Sequence, residues 1–260
     1  MRLTIIGCSG SFAGPNSPAS SYLVQSEHEG RTWNLVLDMG PGSLGALQRH
    51  IELDAIDAIV ISHLHPDHCL DLTGLFVVTK YHPTRGPLPR VPVYGPQDTA
   101  ARMSRANGVT LCEAADPHGM DSEFDFRTLV SLDAFQVGPF TITPHRVNHP
   151  VEAFGFRVEA DGKVLAYTGD TDSTPDLLPL LRDADLVLAD SAFCEERDEI
   201  RDIHLTGRRA AEAAVAATGV QRLMLTHIPA WNDPEVCRAQ AAQVWLSKVE
   251  LAVADEVHDI

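Results

Sequence analysis

The feature that most constrains this chain is seven residues long. Ser62-His63-Leu64-His65-Pro66-Asp67-His68 directly follows residues 58–61, an apolar, β-branched run that reads as a buried strand. Side chains alternate along an extended segment, so His63 and His65 point to the same side. Asp67 and His68 lie past a proline, where the chain must turn, and can face a neighbouring point from another direction. One short loop therefore offers two pairs of ligands to two adjacent sites. Imidazole nitrogen and carboxylate oxygen suit zinc and tolerate manganese or iron.

Two clipped sites need further ligands, and each candidate stands at the end of a predicted strand. His149, in Asn148-His149-Pro150, follows the strand at 140–143. Asp170, in Thr168-Gly169-Asp170-Thr171, follows the strand at 163–167. His227, in Thr226-His227-Ile228, follows the strand at 222–225. Glycine before Asp170 lets the backbone come close, and the two carboxylate oxygens could bridge two ions. Other strands are expected at 3–7, 22–26, 33–37, 91–94, 134–137, 153–159 and 186–189, with Asp161-Gly162 as a hairpin turn. Helices are expected at 43–50, 72–81, 97–107, 206–218 (capped by Thr206) and 234–248, with a loop at 85–89. Early antiparallel strands followed by strand–helix alternation point to sheets covered by helices.

Composition narrows the partners. The 260 residues hold 20 Lys and Arg against 36 Asp and Glu, a net charge of −16. Nucleic acids are gripped through a basic footprint, so this balance disfavours them as general partners. No apolar run approaches the roughly 18–20 residues of a membrane helix, so no membrane role is expected. Five scattered cysteines without a C-x-x-C suit reduced, individually packed thiols and a cytoplasmic location. The length suits one catalytic domain over residues 1–260, with a homodimer left open.

The chain resembles the metallo-β-lactamase superfamily of dinuclear hydrolases, and within it the phosphodiesterase branch that includes ribonuclease Z. The likeness runs from Gly7-Cys8-Ser9-Gly10-Ser11 through Leu37-Asp38-Met39-Gly40 and the His63–His68 motif to Thr226-His227. It implies an αββα sandwich of two mixed sheets flanked by helices, with the site between the sheets at their edge. It implies two divalent ions, zinc first, with His63, His65 and His149 on one and Asp67, His68 and His227 on the other. Asp170 would bridge them, and Asp38 would orient the ligand loop from below. An aspartate rather than a cysteine at 170 favours the phosphodiesterase branch. Ile203-His204-Leu205-Thr206 matches a histidine that meets the scissile phosphate or protonates the leaving oxygen, and Asp190 stands where relatives place a glutamate.

The overall match is closer to bacterial members that hydrolyse 3′,5′-cyclic nucleotides. They share Val147-Asn148-His149-Pro150-Val151-Glu152-Ala153 and Ile203-His204-Leu205-Thr206-Gly207. The resemblance implies hydrolysis of cyclic AMP to the 5′-monophosphate by a metal-bridging hydroxide. Asp67 would accept a hydrogen bond from the nucleophile and His204 would protonate the departing ribose oxygen. The alternatives are a ribonuclease Z-like RNA endonuclease or another small-molecule ester hydrolase. Only 21 residues separate His149 from Asp170, too few for the tRNA-gripping arm that ribonuclease Z carries there. His82 stands before a loop that could overhang the site and is a candidate substrate contact.

Overall fold

In the computed structural model, which describes residues 1–84 and 88–260, the chain forms two mixed seven-stranded sheets packed face to face. Of the loop expected at 85–89, the first three residues lie outside those described. The first sheet holds β1 (Arg2–Gly7), β2 (Ser21–His28), β3 (Arg31–Leu37), β4 (Ala58–Val60), β5 (Val91–Gly95) and β6 (Phe124–Thr128) in that order. The second holds β7 (Phe135–Val137), β8 (Phe140–Arg146), β9 (Phe154–Ala160), β10 (Lys163–Tyr167), β11 (Leu186–Asp190), β12 (Leu223–Thr226) and β13 (Val249–Leu251), also in order. A last strand, β14 (Val257–Asp259), returns to pair antiparallel with β1.

Each half starts with antiparallel neighbours and continues with parallel ones, β3-β4-β5-β6 and β10-β11-β12-β13. Alternation decides which side chains meet. Leu35, Leu37, Leu165, Tyr167, Leu186 and Leu188 point into the core between the sheets. Val36 and Ile59 face the helices over the first sheet, α1 (Ser43–Leu47), α3 (Leu72–Tyr81) and α4 (Thr99–Asn107). Ala166 and Val187 face α6 (Leu177–Leu181), α7 (Gly207–Ala217) and α8 (Pro234–Ala241) over the second. Strands covered on both faces need apolar residues on both, hence the unbroken runs of β4 and β11. The expected αββα sandwich is the fold.

The parallel strands of both sheets end at one edge, where open α/β sheets place their ligands. That edge carries the site. Between β4 and α3 the chain makes a single turn, α2 (Pro66–Cys69), with Pro66 at its first position. Proline is suited to that place because its missing N–H would have had no partner there. Asp161 and Gly162 both have positive φ, as a two-residue hairpin turn requires.

Several elements differ from the sequence reading. The helix expected at 234–248 stops at Ala241, and Val249–Leu251 becomes a strand parallel to β12. Neither β6 nor a short helix, α5 (Leu111–Ala115), which starts behind a capping box of Thr110 and Glu113, is among the elements expected. Cys194 and Cys237 are not individually packed. Both are buried, with their sulfurs 3.9 Å apart, because α8 brings Cys237 against the loop after β11. Burial pushes the Cys237 thiol up to about 12, so it stays protonated.

Candidate metal centre

Two groups of side chains converge at the common strand edge. In the first, His63 Nε2 and His149 Nε2 lie 3.0 and 3.1 Å from His65 Nδ1. Two nitrogens bound to one tetrahedral ion at about 2.0–2.1 Å stand roughly 3.3–3.4 Å apart, so this spacing is a few tenths of an ångström tighter than a coordination shell and a small outward shift of the rings would admit an ion. In the second, His68 Nε2 lies 3.5 Å from Asp67 Oδ2 and 3.2 Å from Asp170 Oδ1. His227 Nε2 lies 3.2 Å from Asp170 Oδ2 and 3.8 Å from Asp67 Oδ2. Asp170 also reaches toward the first group, 3.6 Å from His63 Nε2. It is therefore the carboxylate shared by both.

The donor set fits a pair of cations. His68 Nε2, His227 Nε2 and Asp170 Oδ1 are buried without a hydrogen-bond partner, and orphaned buried polar atoms are costly unless something satisfies them. The opposite ring nitrogens of four of these histidines are engaged. His63 Nδ1–H donates to Ser62 Oγ at 3.1 Å and His68 Nδ1–H to Asp38 Oδ2 at 2.8 Å. His149 Nδ1–H donates to the Ile203 carbonyl at 2.9 Å, and His227 Nδ1–H to Ser20 Oγ at 2.9 Å. In each neutral ring such a bond fixes the tautomer and leaves a lone pair on the inward nitrogen. Burial, helped by neighbouring imidazoles, pushes His63 and His65 down. Burial also lowers His149 and His227, which holds all four neutral, the form that binds metal. His68 is the exception. Burial opposes its charge, but Asp170 and Asp38 outweigh it and raise its pKa, so in the metal-free chain its proton stands in for a cation. Asp170 and Asp67 stay ionised despite burial because imidazoles surround them.

The local backbone explains why these residues can meet. Asp38 and His227 both have positive φ, 60° and 57°, an uncommon state for non-glycine residues and one found where surrounding structure over-determines the chain. A Cβ on Gly40 would fall 2.0 Å from the Asp67 carbonyl, so only glycine lets the α2 turn seat against the strand end. Gly169, at φ 58°, leaves the Phe154 carbonyl no room for a side chain and brings Asp170 inward. Asp38 is fully buried. It accepts from Ser62 N–H at 2.7 Å and from Ser62 Oγ, Tyr167 OH and His68 Nδ1 at 2.8 Å each.

His204 borders both groups. Its Nδ1–H donates to Asp190 Oδ2 at 2.9 Å, and the same nitrogen lies 4.0 Å from Asp170. Phe193 packs edge-on against its ring at 5.0 Å. Burial opposes protonation, yet the Asp190 carboxylate prevails and raises the His204 pKa to about 9. Asp190 thus reaches His204 although it is shorter than glutamate.

His82 is not at this site. It borders a surface pocket with Leu53, Asp54 and Val78, residues that precede the start of β4 or end α3, whereas the cluster lies past the opposite end of β4. The α3 helix, about 15 Å long, carries the chain away from His68. His145 also stays apart, buried beside Arg157 on β8.

The motif reading passes over Asp172, which no spacing marks. Its side chain accepts from Asp202 N–H at 2.8 Å and pairs with buried Arg209, and its own N–H donates to the Asn148 carbonyl at 2.8 Å. It so ties together the segments that carry His149 and His204.

A family model described as the Beta-lactamase superfamily domain matches residues 33–228, and the chain belongs to that family. It is a metallo-hydrolase of the metallo-β-lactamase fold. Uncharacterized protein ML1173 of Mycobacterium leprae is 41% identical over 261 residues, covering 100% of this chain and 89% of that protein. The probable metallo-hydrolase YhfI of Bacillus subtilis is 28% identical over 253 residues, 97% of each. The crystal structure of YhfI superposes with a TM-score of 0.84 at 26% identity, covering 99% of both chains. Human tRNase Z, short form, shares the fold at a TM-score of 0.74 and 22% identity, over 100% of this chain and 99% of that one.

Proposed function

We propose that this chain is a phosphodiesterase working with two divalent metal ions, zinc first, that opens 3′,5′-cyclic nucleotides to 5′-monophosphates. The observation that carries the reading is His204, held by Asp190 within reach of the carboxylate shared by both ligand groups. His63, His65 and His149 would hold one ion, Asp67, His68 and His227 the other, and Asp170 both. Ions held there supply Lewis acidity toward a phosphoryl oxygen and an activated water near neutral pH.

The protein groups supply the rest. Asp67 offers a carboxylate oxygen beside His68 and His227 and would orient a nucleophile's hydrogen. His204 carries a proton at neutral pH and sits where it can give that proton to a departing oxygen. The positive charges of bound ions would lower its pKa from about 9 toward the working range. Burial of the ligand groups excludes bulk water and strengthens each of these interactions.

A small diester fits better than RNA. The interval from His149 to Asp170 is filled by β9, the two-residue turn and β10, which leaves no arm to grip a polynucleotide. A net charge of −16 gives a long polyanion little general attraction. The test is a substrate panel on the metal-loaded protein, with 3′,5′-cyclic AMP and GMP beside 2′,3′-cyclic nucleotides and precursor tRNA. Turnover of the 3′,5′ compounds is expected. Preference for precursor tRNA, or no turnover of any phosphodiester, would refute the reading.

A further inference from the structure

Exposed aromatic residues beside a buried polar site call for an explanation, because large apolar side chains gain nothing in water. Phe12 and Trp231 are 41% and 64% exposed, yet their rings touch, with centroids 4.9 Å apart and planes tilted by 45°. They sit on two loops that meet at the metal centre. Phe12 belongs to the loop after β1, and Trp231 lies four residues beyond His227. Gly10 joins the two. A Cβ there would fall 2.3 Å from the His227 carbonyl and 3.0 Å from Cδ2 of its ring, the carbon next to the inward-facing Nε2. Phe12 is two residues from Gly10, at most about 7 Å along the chain.

Both loops are held rather than floppy. Phe12 N–H donates to the Gly10 carbonyl at 2.7 Å, and Gly14 N–H to the Ser17 carbonyl at 2.9 Å. Next to Trp231, buried Asn232 donates from Nδ2 to the Ala192 carbonyl and accepts from Arg197, both at 2.7 Å. Ala192 N–H in turn donates to Asp190, the partner of His204. The aromatic pair is therefore fixed relative to the ligand groups on one side and the proton donor on the other. Two side chains are far too little for a stable protein interface, which needs about 800 Å² per partner. A single planar ring matches them.

We propose that Phe12 and Trp231 form a stacking platform for the aromatic base of the nucleotide whose phosphate is held at the metal centre. This rests on the phosphodiesterase reading above. It assigns base recognition to a sequence-tolerant surface, since every base has a π-face, and it predicts weak discrimination between purines.

The test is an equilibrium titration of the metal-loaded protein followed by tryptophan emission. Trp245 is buried and Trp33 partly so, which leaves Trp231 as the reporter most open to a bound ring. The ligands are 5′-AMP and ribose 5-phosphate, which differ by the base. AMP should quench the emission and bind roughly tenfold more tightly than ribose 5-phosphate, the scale of one stacked base. Trp231→Ala should abolish the quench and the tenfold preference, and Trp231→Phe should keep most of the preference. Kinetically, Trp231→Ala should raise KM for cyclic AMP about tenfold and leave kcat within a small factor. Equal binding of AMP and ribose 5-phosphate to the unaltered protein, or an undiminished AMP preference in Trp231→Ala, overturns the platform. Absence of turnover on every phosphodiester strikes the catalytic reading instead, and the titration separates the two.

Discussion

Replacing Asp38 with asparagine tests the logic of the site from beneath. The change is nearly isosteric, and asparagine tolerates the left-handed backbone at φ 60° as aspartate does. Asp38 accepts four hydrogen bonds, three of them at Oδ2. With an amide in place, Ser62 N–H keeps its acceptor at Oδ1, and the two amide hydrogens can reach His68 Nδ1 and one of the Ser62 and Tyr167 hydroxyls, which leaves the other without its acceptor. Bonds to a charged acceptor become neutral ones, a difference of about 1 kcal/mol each, so the loss of stability over the four bonds should be about 4 kcal/mol. The larger effect falls on His68. An amide nitrogen facing Nδ1 would donate to it, and the ring proton would move to Nε2, the nitrogen aimed at Asp170. A protonated Nε2 cannot ligate. Affinity for one of the two ions should fall about 10–100-fold, the scale expected when a ligand's outer partner is lost. Equilibrium dialysis with elemental analysis gives the ion count, and urea unfolding gives the stability. An Asp38→Asn protein that holds two ions at unaltered affinity would refute the tautomer argument.

Further expectations follow from the same geometry. His204→Ala should lower kcat about 10²–10⁴-fold with the metal content preserved, as elemental analysis and steady-state rates will show; loss of an ion would make His204 a ligand instead. Asp190→Asn removes the group that holds the His204 pKa up, so the alkaline fall of the kcat profile should move to lower pH; an unmoved limb would sever the pair from the chemistry. In the metal-free chain His68 carries a proton that a metal must displace, so affinity should rise with pH and binding should release protons. Calorimetry in buffers of different ionisation enthalpy measures that release, and a buffer-independent heat would count against it.

Much of the candidate site could be read in the sequence because its residues obey local rules. The His63–His68 motif follows a short β-branched strand, and period-two alternation puts two imidazoles on one side. His149, Asp170 and His227 follow β8, β10 and β12, which run in the same direction in the second sheet, so the topology brings them to one edge. What escaped is what depends on distant pairing. Val249–Leu251 continues a helical-looking stretch, and only the vacant edge of β12 turns it into a strand. Cys194 and Cys237 are 43 residues apart, and nothing local announces their contact. Asp172 looks like any aspartate after a strand, and its role comes from Arg209 and Asp202 meeting it in space. His82 failed for the converse reason. Its neighbourhood in sequence suggested an overhang, but a helix of ten residues carries it to the wrong end of the sheet.

Seven residues are proposed to assemble a two-ion centre that hydrolyses a cyclic phosphodiester. Adding zinc in measured equivalents to metal-stripped protein, while following cyclic AMP hydrolysis by phosphorus NMR, tests it most directly. 5′-AMP should be the sole product, and activity should climb to a plateau at two ions per chain. A plateau at one ion, a 3′-monophosphate product, or hydrolysis indifferent to metal would contradict it.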